Sequence, residues 1–583
     1  MDTTNSQGIV TVPPSLSYFC VYNPSFGDTD DSQSDQLLYY TSKKTVPMDV
    51  KIRQVGLAQG LVNFTRVFSP SKPCENVHTQ KNRLAFYEPE PDYWIHISIE
   101  LGHVKKVIKD KEGKPKTTID YLDSNLHDSG VKRMLELGYE MYRIFNGPFE
   151  YTVRTDGIKA LKNKLEEFFA NWVFEWDFEK TELTKTVDGI LYMPLSDSAE
   201  SQITSFVNQI QSDYEFISDM FVIWQNKLVY RGNGAIPVNN VRGIWRHLVS
   251  YIAERDEHDR EIENKRKNKE AEKVSTFMGF TRNISGSNLL SYFSTTPKVS
   301  PSTSPTNSTS HNPSTAPLET NGLLSPSTQV FIPGPSNFLL GPTNLHGPDG
   351  DIHPVKVYLS KNSNSSNIRT VDHRHDVDES DIEEYYLVAY KQNALTLVFF
   401  IPLNSLEGSA KVQEMVFYRS FHNYLTSQSE EIIKILNENH EKSKKLGRTD
   451  IDKEYRYLFF NKMTLAVKSS LYPFSSNGSL TSSSRGLTIT SEMAHALCEL
   501  HEDLEKYPQL TEIYTRSSTN FWIVGKRSEG RVLYIVVPKK EASLAEVEAK
   551  LFPVIIITPL YYVKLIAAYG IMLIPIFISW WLV

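Results

Sequence analysis

The chain has 583 residues, of which 40% are apolar and 22% charged, and Lys+Arg 62 against Asp+Glu 69 leaves a net charge of −7. That composition is rich enough in apolar residues to bury a core, which excludes wholesale disorder. It also offers no global basic surface, so a nucleic-acid partner held by phosphate neutralisation is not expected. At roughly 150 residues per domain the length suits three to four folding units. Three cysteines, Cys20, Cys74 and Cys498, lie far apart. They exclude a disulfide framework or a four-cysteine zinc site and point to a reducing compartment. The sequons at Asn63, Asn283 and Asn477 are then chance matches. Met1–Gly8 lacks the basic start and apolar stretch of a signal peptide.

In chain order, Leu16–Tyr22 and Leu37–Tyr40 read as strands, Lys51–Phe68 as a helix and Tyr93–Ile99 as a strand. A Lys-rich hairpin follows around Asp110–Pro115, with Lys105, Lys106, Lys109, Lys111, Lys114 and Lys116. Helices are predicted over 131–145, 158–172 and 203–210, the second on the spacing of Ile158, Leu161, Leu165, Phe168 and Trp172. Ile190–Met193 reads as a strand and Phe221–Tyr230 as a hairpin turning at Gln225-Asn-Lys227.

From Glu254 to Lys273 the chain is almost wholly charged, which predicts a solvated helix. Thr281–Thr328 is dominated by Ser, Thr, Pro and Asn and cannot bury enough apolar area to offset its ordering entropy, so disorder is expected. Its hydroxyls make it a plausible phosphorylation region. Beyond it, strands are predicted at Glu384–Tyr390 and Leu395–Ile401, then a helix through Phe417 and Phe421. Tyr455–Phe460 opens a last unit with a helix near Ser491–Glu505 and a hairpin over Phe521–Val537. The reading is mixed α/β (α+β), with antiparallel sheets flanked by helices. The expected units are 14–253, 351–450 and 451–556, with a linker at 254–350 and an apolar tail at 557–583. The element order recurs, suggesting duplicated folds.

The motifs of common chemistry are missing. There is no Gly-x-x-x-x-Gly-Lys-Ser/Thr loop, no Gly-x-Gly-x-x-Gly, no His-Glu-x-x-His and no Gly-x-Ser-x-Gly elbow. Gly232-Asn-Gly234 reads as a hairpin exit. Asp372-His-Arg-His-Asp376 has metal-ligand types, but reads as a solvated loop; a metal-dependent enzyme built on His373 and His375 is the weakest alternative. No cofactor and no metal are expected.

The Lys51–Phe68 helix carries two apolar stripes, Leu57, Leu61, Phe64 and Phe68 on one side and Val55, Ala58 and Val62 on another. A helix apolar on two sides wants burial on two sides. One stripe can cover its own sheet and the other a second protein, or both can lie inside one domain. The last nineteen residues, Leu565–Val583, carry no charge and are long enough to span a bilayer. They are either a tail anchor or the product of a misread exon.

Several runs resemble the Ccz subunit of the Mon–Ccz complex. They are Tyr22-Asn-Pro-Ser-Phe-Gly27, Lys51-Ile-Arg-Gln-Val-Gly-Leu57, Phe64-Thr-Arg-Val-Phe-Ser-Pro-Ser-Lys-Pro73 and His78-Thr-Gln-Lys-Asn-Arg83, with Met141–Gly147 and Tyr457–Met463 further on. The resemblance implies three longin-type domains, each a five-stranded antiparallel sheet between helices. It implies a heterodimer with a Mon subunit that exchanges guanine nucleotide on a late-endosomal or vacuolar Rab GTPase, without covalent chemistry. It also implies a peripheral position on the endosomal membrane surface. By the same resemblance, Asn23, Phe26, Arg66, Lys72, Lys81 and Arg83 are expected to face partners, and the two-striped helix adds Leu57 and Val62. A non-catalytic longin scaffold or adaptor in trafficking is the competing expectation. The tail beyond Leu551 departs from that family's short ending.

Overall fold

The computed structural model describes residues 9–282 (save 28–29, 71–73, 110–114, 124–125, 177 and 179–182), with 4–5, 337–345 (save 343), 352, 354–360, 382–446, 455–471 and 489–547 (save 529 and 538–542). The expected disordered stretch beyond Arg282, the His373/His375 cluster and the apolar tail lie outside the described residues, while Thr281 and Arg282 end a helix. Contacts divide the chain into Met1–Leu248 with Leu324–Val583, and Val249–Leu323 by itself.

The first unit carries three large antiparallel sheets that share one strand order. Numbering each sheet's strands along the chain, and counting the two short strands that share one edge of the second sheet as a single position, that order is 2-1-5-4-3. In the first it runs Leu37–Ser42, Ser15–Tyr22, Tyr93–Glu100, Asn82–Glu90, Asn76–His78. In the third it runs Ala466–Ser469, Arg456–Asn461, Arg531–Val537, Trp522–Ser528, Glu512–Arg516. In the second, Lys227–Tyr230, Asp219–Trp224, Leu395–Pro402 and Ile382–Gln392 are followed by Phe338–Leu340 and Val355–Ser360, which share the outer edge of Ile382–Gln392. Strands 2 and 3 lie at opposite edges, so the chain must cross four strand spacings, about 19 Å. In each sheet a helix sits at that place in the chain: Met48–Phe68, Val238–Arg282 and Ser491–Lys506.

This register corrects the expected first boundary. Asp219–Trp224 pairs along its whole length with Leu395–Pro402, from Asp219 opposite Phe400 to Trp224 opposite Leu395. The hairpin read as the end of a unit spanning 14–253 therefore opens the second sheet. Phe338–Leu340, placed in the linker, is also one of its strands. The long segment between them is an insertion within one sheet. The charged stretch does form helix, and Glu257, Arg260, Glu261 and Lys265 are exposed on it.

Ile190–Met193 was expected to be a strand. Instead it makes single parallel bridges on either side, Ile190 with Ala466 and Tyr192 with Leu228. The Ile190 N–H donates to Leu465 O at 2.6 Å and the Met193 N–H to Leu228 O at 2.9 Å. The strap thus joins edge strands of the second and third sheets. Gly189 is required just before it, because a Cβ there would meet the Val467 Cβ at 2.5 Å.

Ahead of Gly189, Asp188 is fully buried and pairs with three guanidiniums. Arg133 reaches it at 2.7 Å, Arg242 at 3.8 Å, and Arg246 contacts it directly. Glu136 and Glu140 complete the cluster, with Arg133 and Arg242 both on Glu140. Burial raises the Glu140 carboxyl, but Arg133 and Arg242 outweigh it and hold the group below its ordinary range. Replacing Asp188 with Ala leaves buried guanidiniums uncompensated, and the expected loss is at least about 3 kcal/mol in urea unfolding; a loss under about 1 kcal/mol would show that the cluster is dispensable.

Two histidines, His96 buried and His247 half-buried, set an acid limit. The His96 ring stacks on Phe86 at 4.6 Å and bonds to Tyr18 Oη and Ala85 O; His247 lies 4.4 Å from the Phe145 ring. Burial pulls both from the usual 6.5 down to about 4. Above pH 6.5 neither state binds the proton. Between 6.5 and 4 the unfolded chain does and the native chain does not, so stability falls as pH falls, by roughly 3 kcal/mol per histidine over the window. Urea midpoints between pH 7.5 and 4 are expected to drop accordingly, with a shallower slope in His247→Phe.

A candidate partner-binding surface on the first sheet

The helix Met48–Phe68 resolves its two stripes. Val55, Ala58 and Val62 are buried against Tyr18, Cys20, Tyr22, Leu84, Phe86 and Trp94 of the first sheet. Small and β-branched residues let the helix axis approach the sheet closely. On the other stripe Leu61 packs partly against the same core, and among the described residues nothing covers the rest. Leu57 is 56% exposed, Phe64 64%, Val67 77% and Phe68 74%. The Phe64 and Phe68 rings pair edge-to-face at 5.1 Å. Between these side chains the helix presents Gly56 and Gly60, where an added Cβ would meet nothing within 4 Å. Each glycine costs about 1 kcal/mol relative to alanine in a helix interior. Together they leave a shallow floor between Leu57 and the two phenylalanines, into which another protein's side chains can descend.

The expected partner-facing residues divide by burial. Leu57 belongs to the uncovered face. Val62 does not: it points into its own sheet, and the expectation that it meets a partner is corrected by its 2% exposure. Arg66 is half-exposed at the rim, with Nη2 2.8 Å from Glu88 Oε2 and its guanidinium 5.1 Å above the Trp94 ring. Lys81 is exposed in the turn leading to Asn82–Glu90, and its carbonyl accepts from the Leu101 N–H at 2.9 Å. Lys72 lies outside the described residues.

Asn23, Phe26 and Arg83 have structural employment instead. Asn23 is buried, and its Oδ1 accepts from the Ser25 N–H at 2.9 Å and the Ser25 hydroxyl at 2.7 Å, capping the turn Pro24–Phe26. Phe26 is half-buried, packing on the sheet face opposite the helix, 6.0 Å from Tyr93. Arg83 is buried and paired with Asp123 at 2.7 Å and with Asp128. His78 bridges the same two carboxylates, 3.3 Å from Asp123 and 2.9 Å from Asp128. Burial would raise the Asp123 carboxyl, yet Arg83 and His78 hold it below the usual range. This cluster locks the outer edge of the first sheet to the start of the helix Asp128–Asn146. Asp123 and Asp128 lie 40 or more residues beyond Arg83, which is why no local pattern revealed the pairing.

The Lys-rich hairpin is formed by His103–Lys109 and Pro115–Tyr121 beside Ile9–Val12 in a separate small sheet. Lys105 is exposed there and Lys106 pairs with Asp120 at 2.9 Å. Among the described residues no cluster of three or more His, Cys, Asp or Glu could hold a metal, and no helix is long and apolar enough to cross a membrane.

The strand order, the crossing helix and its open face bear directly on kinship. The signature described as the first longin domain of INTU, CCZ1 and HPS4 matches residues 16–147, and that of the Intu longin-like domain 3 matches residues 452–552. Along nearly the whole chain, similarity extends to proteins named vacuolar fusion protein CCZ1 homolog. That of Danio rerio is 25% identical over 538 residues, 92% of each chain. That of Nematostella vectensis is 25% identical, covering 92% of this chain and 94% of its own. In Dictyostelium discoideum the counterpart is 21% identical, covering 92% and 95%. The chain is thus similar to CCZ1 homologues along 92% of its length. Its three sheets are longin-like domains, and the uncovered helix lies within the stretch matched by the first-domain signature of that family.

Two substitutions on this helix separate core from surface. Val62→Asp buries a carboxylate against the sheet and is expected to cost at least about 3 kcal/mol of stability. Phe64→Asp is expected to stay within about 0.5 kcal/mol of the parent in urea unfolding. Equal losses in both would mean that Phe64 is not on an open face.

Proposed function

We propose that this chain is the Ccz-type subunit of a heteromeric guanine-nucleotide exchange factor. It would activate a late-endosomal or vacuolar Rab GTPase in vesicle-mediated transport and vacuole fusion. The observation that carries the reading is the uncovered Leu57/Phe64/Val67/Phe68 face on a first longin domain. Covering those four side chains is worth roughly 5 kcal/mol or more in gross terms, enough to offset much of the cost of association. Kinship with proteins named for vacuolar fusion supports the setting.

In this reading the Mon subunit covers that face, with Leu57 at its centre, and the GTPase docks on the composite surface, with Arg66 and Lys81 at its rim. The nucleotide belongs to the GTPase, in keeping with a sequence that has no phosphate-cradling loop. Exchange is then a matter of differential binding. The pair of subunits holds the nucleotide-free GTPase better than the loaded one, shifting the population toward an open switch region and weakening the Mg²⁺ and phosphate contacts. GTP enters and displaces the factor. The chain sits peripherally on the endosomal or vacuolar membrane, where exposed Lys105 can face anionic lipid.

The test is nucleotide release from the GTPase loaded with fluorescent GDP. The chain with the Mon subunit is expected to accelerate release, and neither subunit alone should do so. Phe64→Asp is expected to abolish both co-purification and acceleration. Binding to the GTPase without faster release would instead establish the scaffold or adaptor reading.

A further inference from the structure

We infer that Ser69, at the end of the uncovered helix, is a phosphorylation site for a proline-directed protein kinase, and that its phosphate opposes docking on the helix face. The inference rests on the proposed docking role of that face and adds a control to it.

Six Ser/Thr-Pro dipeptides occur in the chain, at Ser69, Thr296, Ser300, Ser304, Ser325 and Thr558. Ser69 alone has a basic residue three positions on, in Ser69-Pro-Ser-Lys72. Proline-directed kinases of the cyclin-dependent class select that arrangement: a proline whose missing N–H needs no acceptor in the substrate cleft, then a cation. Lys72 enters here through the sequence alone.

The structure presents Ser69 in a suitable form. A kinase needs its acceptor exposed and outside regular helix. Ser69 is exposed, with φ −139° and ψ 79°, just outside the helix. Pro70 disfavours helical geometry in the residue before it, so the helix has a local reason to stop there. The Ser69 N–H still donates to Thr65 O at 2.9 Å, anchoring the acceptor to the last turn. Among the described residues its hydroxyl oxygen has no hydrogen-bond partner, and that oxygen would attack the γ-phosphorus of ATP. The bond from that phosphorus to the β–γ bridging oxygen breaks, ADP leaves, and the hydroxyl proton passes to the kinase's catalytic aspartate.

The modification puts a near-dianion where two effects oppose it. A helix C-terminus carries partial negative charge, and a phosphate there is unfavourable. Phe68, the neighbouring residue, is 74% exposed on the apolar face. A partner covering Phe68 would have to desolvate the phosphate beside it. Docking and modification therefore exclude one another, and the kinase acts on the unassembled chain.

The full-length chain is treated with a cyclin-dependent kinase and Mg²⁺–ATP, the phosphopeptides are mapped, and Mon-subunit capture is measured. Phosphate on Ser69 is expected, with a drop in capture of about tenfold that is absent in Ser69→Ala. Thermal unfolding should stay cooperative and fall by no more than about 4 °C, the cost of the charge at the helix end, excluding simple loss of fold. Modification of Thr296 or Ser300 with Ser69 untouched overturns the site. Phosphate on Ser69 with undiminished capture overturns its control of docking, provided Phe64→Asp still abolishes capture. If Phe64→Asp also captures normally, the docking face itself is wrong.

Discussion

Everything in the three-sheet body converges on the strap 188–193. Asp188 is buried among guanidiniums from the helix Asp128–Asn146, below the first sheet, and from the start of Val238–Arg282, which belongs to the second. Two residues later the same backbone bonds to edge strands of the second and third sheets. A buried charge cluster of this kind is a poor source of net stability, because desolvation consumes most of its Coulombic gain. Its effect is on geometry. Three arginines and three carboxylates can all be satisfied in few arrangements, so the cluster favours one placement of the elements that bring them together. The strap also covers two sheet edges whose unpaired backbone would otherwise invite pairing with other chains.

A second junction works in the same way. His495 Nδ1 lies 2.7 Å from His127 Nε2, and Glu502 accepts from the Ser129 N–H and hydroxyl at 3.0 and 2.9 Å. These bonds fix the helix Ser491–Lys506 against the start of Asp128–Asn146. The partners Arg83, His78, Asp123 and Asp128 lie at that same helix start. One helix terminus thus receives the outer edge of the first sheet on one side and the third domain on the other. The face of Met48–Phe68 lies across the first sheet from this junction, and nothing among the described residues was recruited to cover it.

Local elements were legible in the sequence because their causes are local. The spacing of Leu161, Leu165 and Phe168 gave the helix Ile158–Trp172, and β-branched and aromatic runs gave the central strands. What failed was pairing across distance. Nothing in Phe221–Tyr230 says that its neighbour is Leu395–Pro402, beyond a long insert. The strand Asn82–Glu90 was missed because Arg83 and Pro89 break its alternation, and Arg83 fits only because Asp123 and Asp128 arrive later in the chain. At the candidate surface the helical wheel correctly separated two stripes but could not say which one faced the sheet. That choice follows from size: Val55, Ala58 and Val62 allow close approach, whereas Leu57, Phe64 and Phe68 would hold the helix away.

This asymmetry bears on how an exchange factor could work at all. A surface that must open another protein's nucleotide site cannot yield when pressed, since a yielding surface would adapt to the loaded form as readily as to the empty one and discriminate neither. The helix here is held along its inner side by packed Val55, Ala58 and Val62, and at the margin of that side by the Arg66–Glu88 pair over Trp94. Its glycines are confined to the outward face, where they add no slack to the packed side. A stiff helix with a low, apolar outer floor can select an occupant by shape, and under the proposed exchange reading any differential affinity for a GTPase then has to come from the composite surface built upon it.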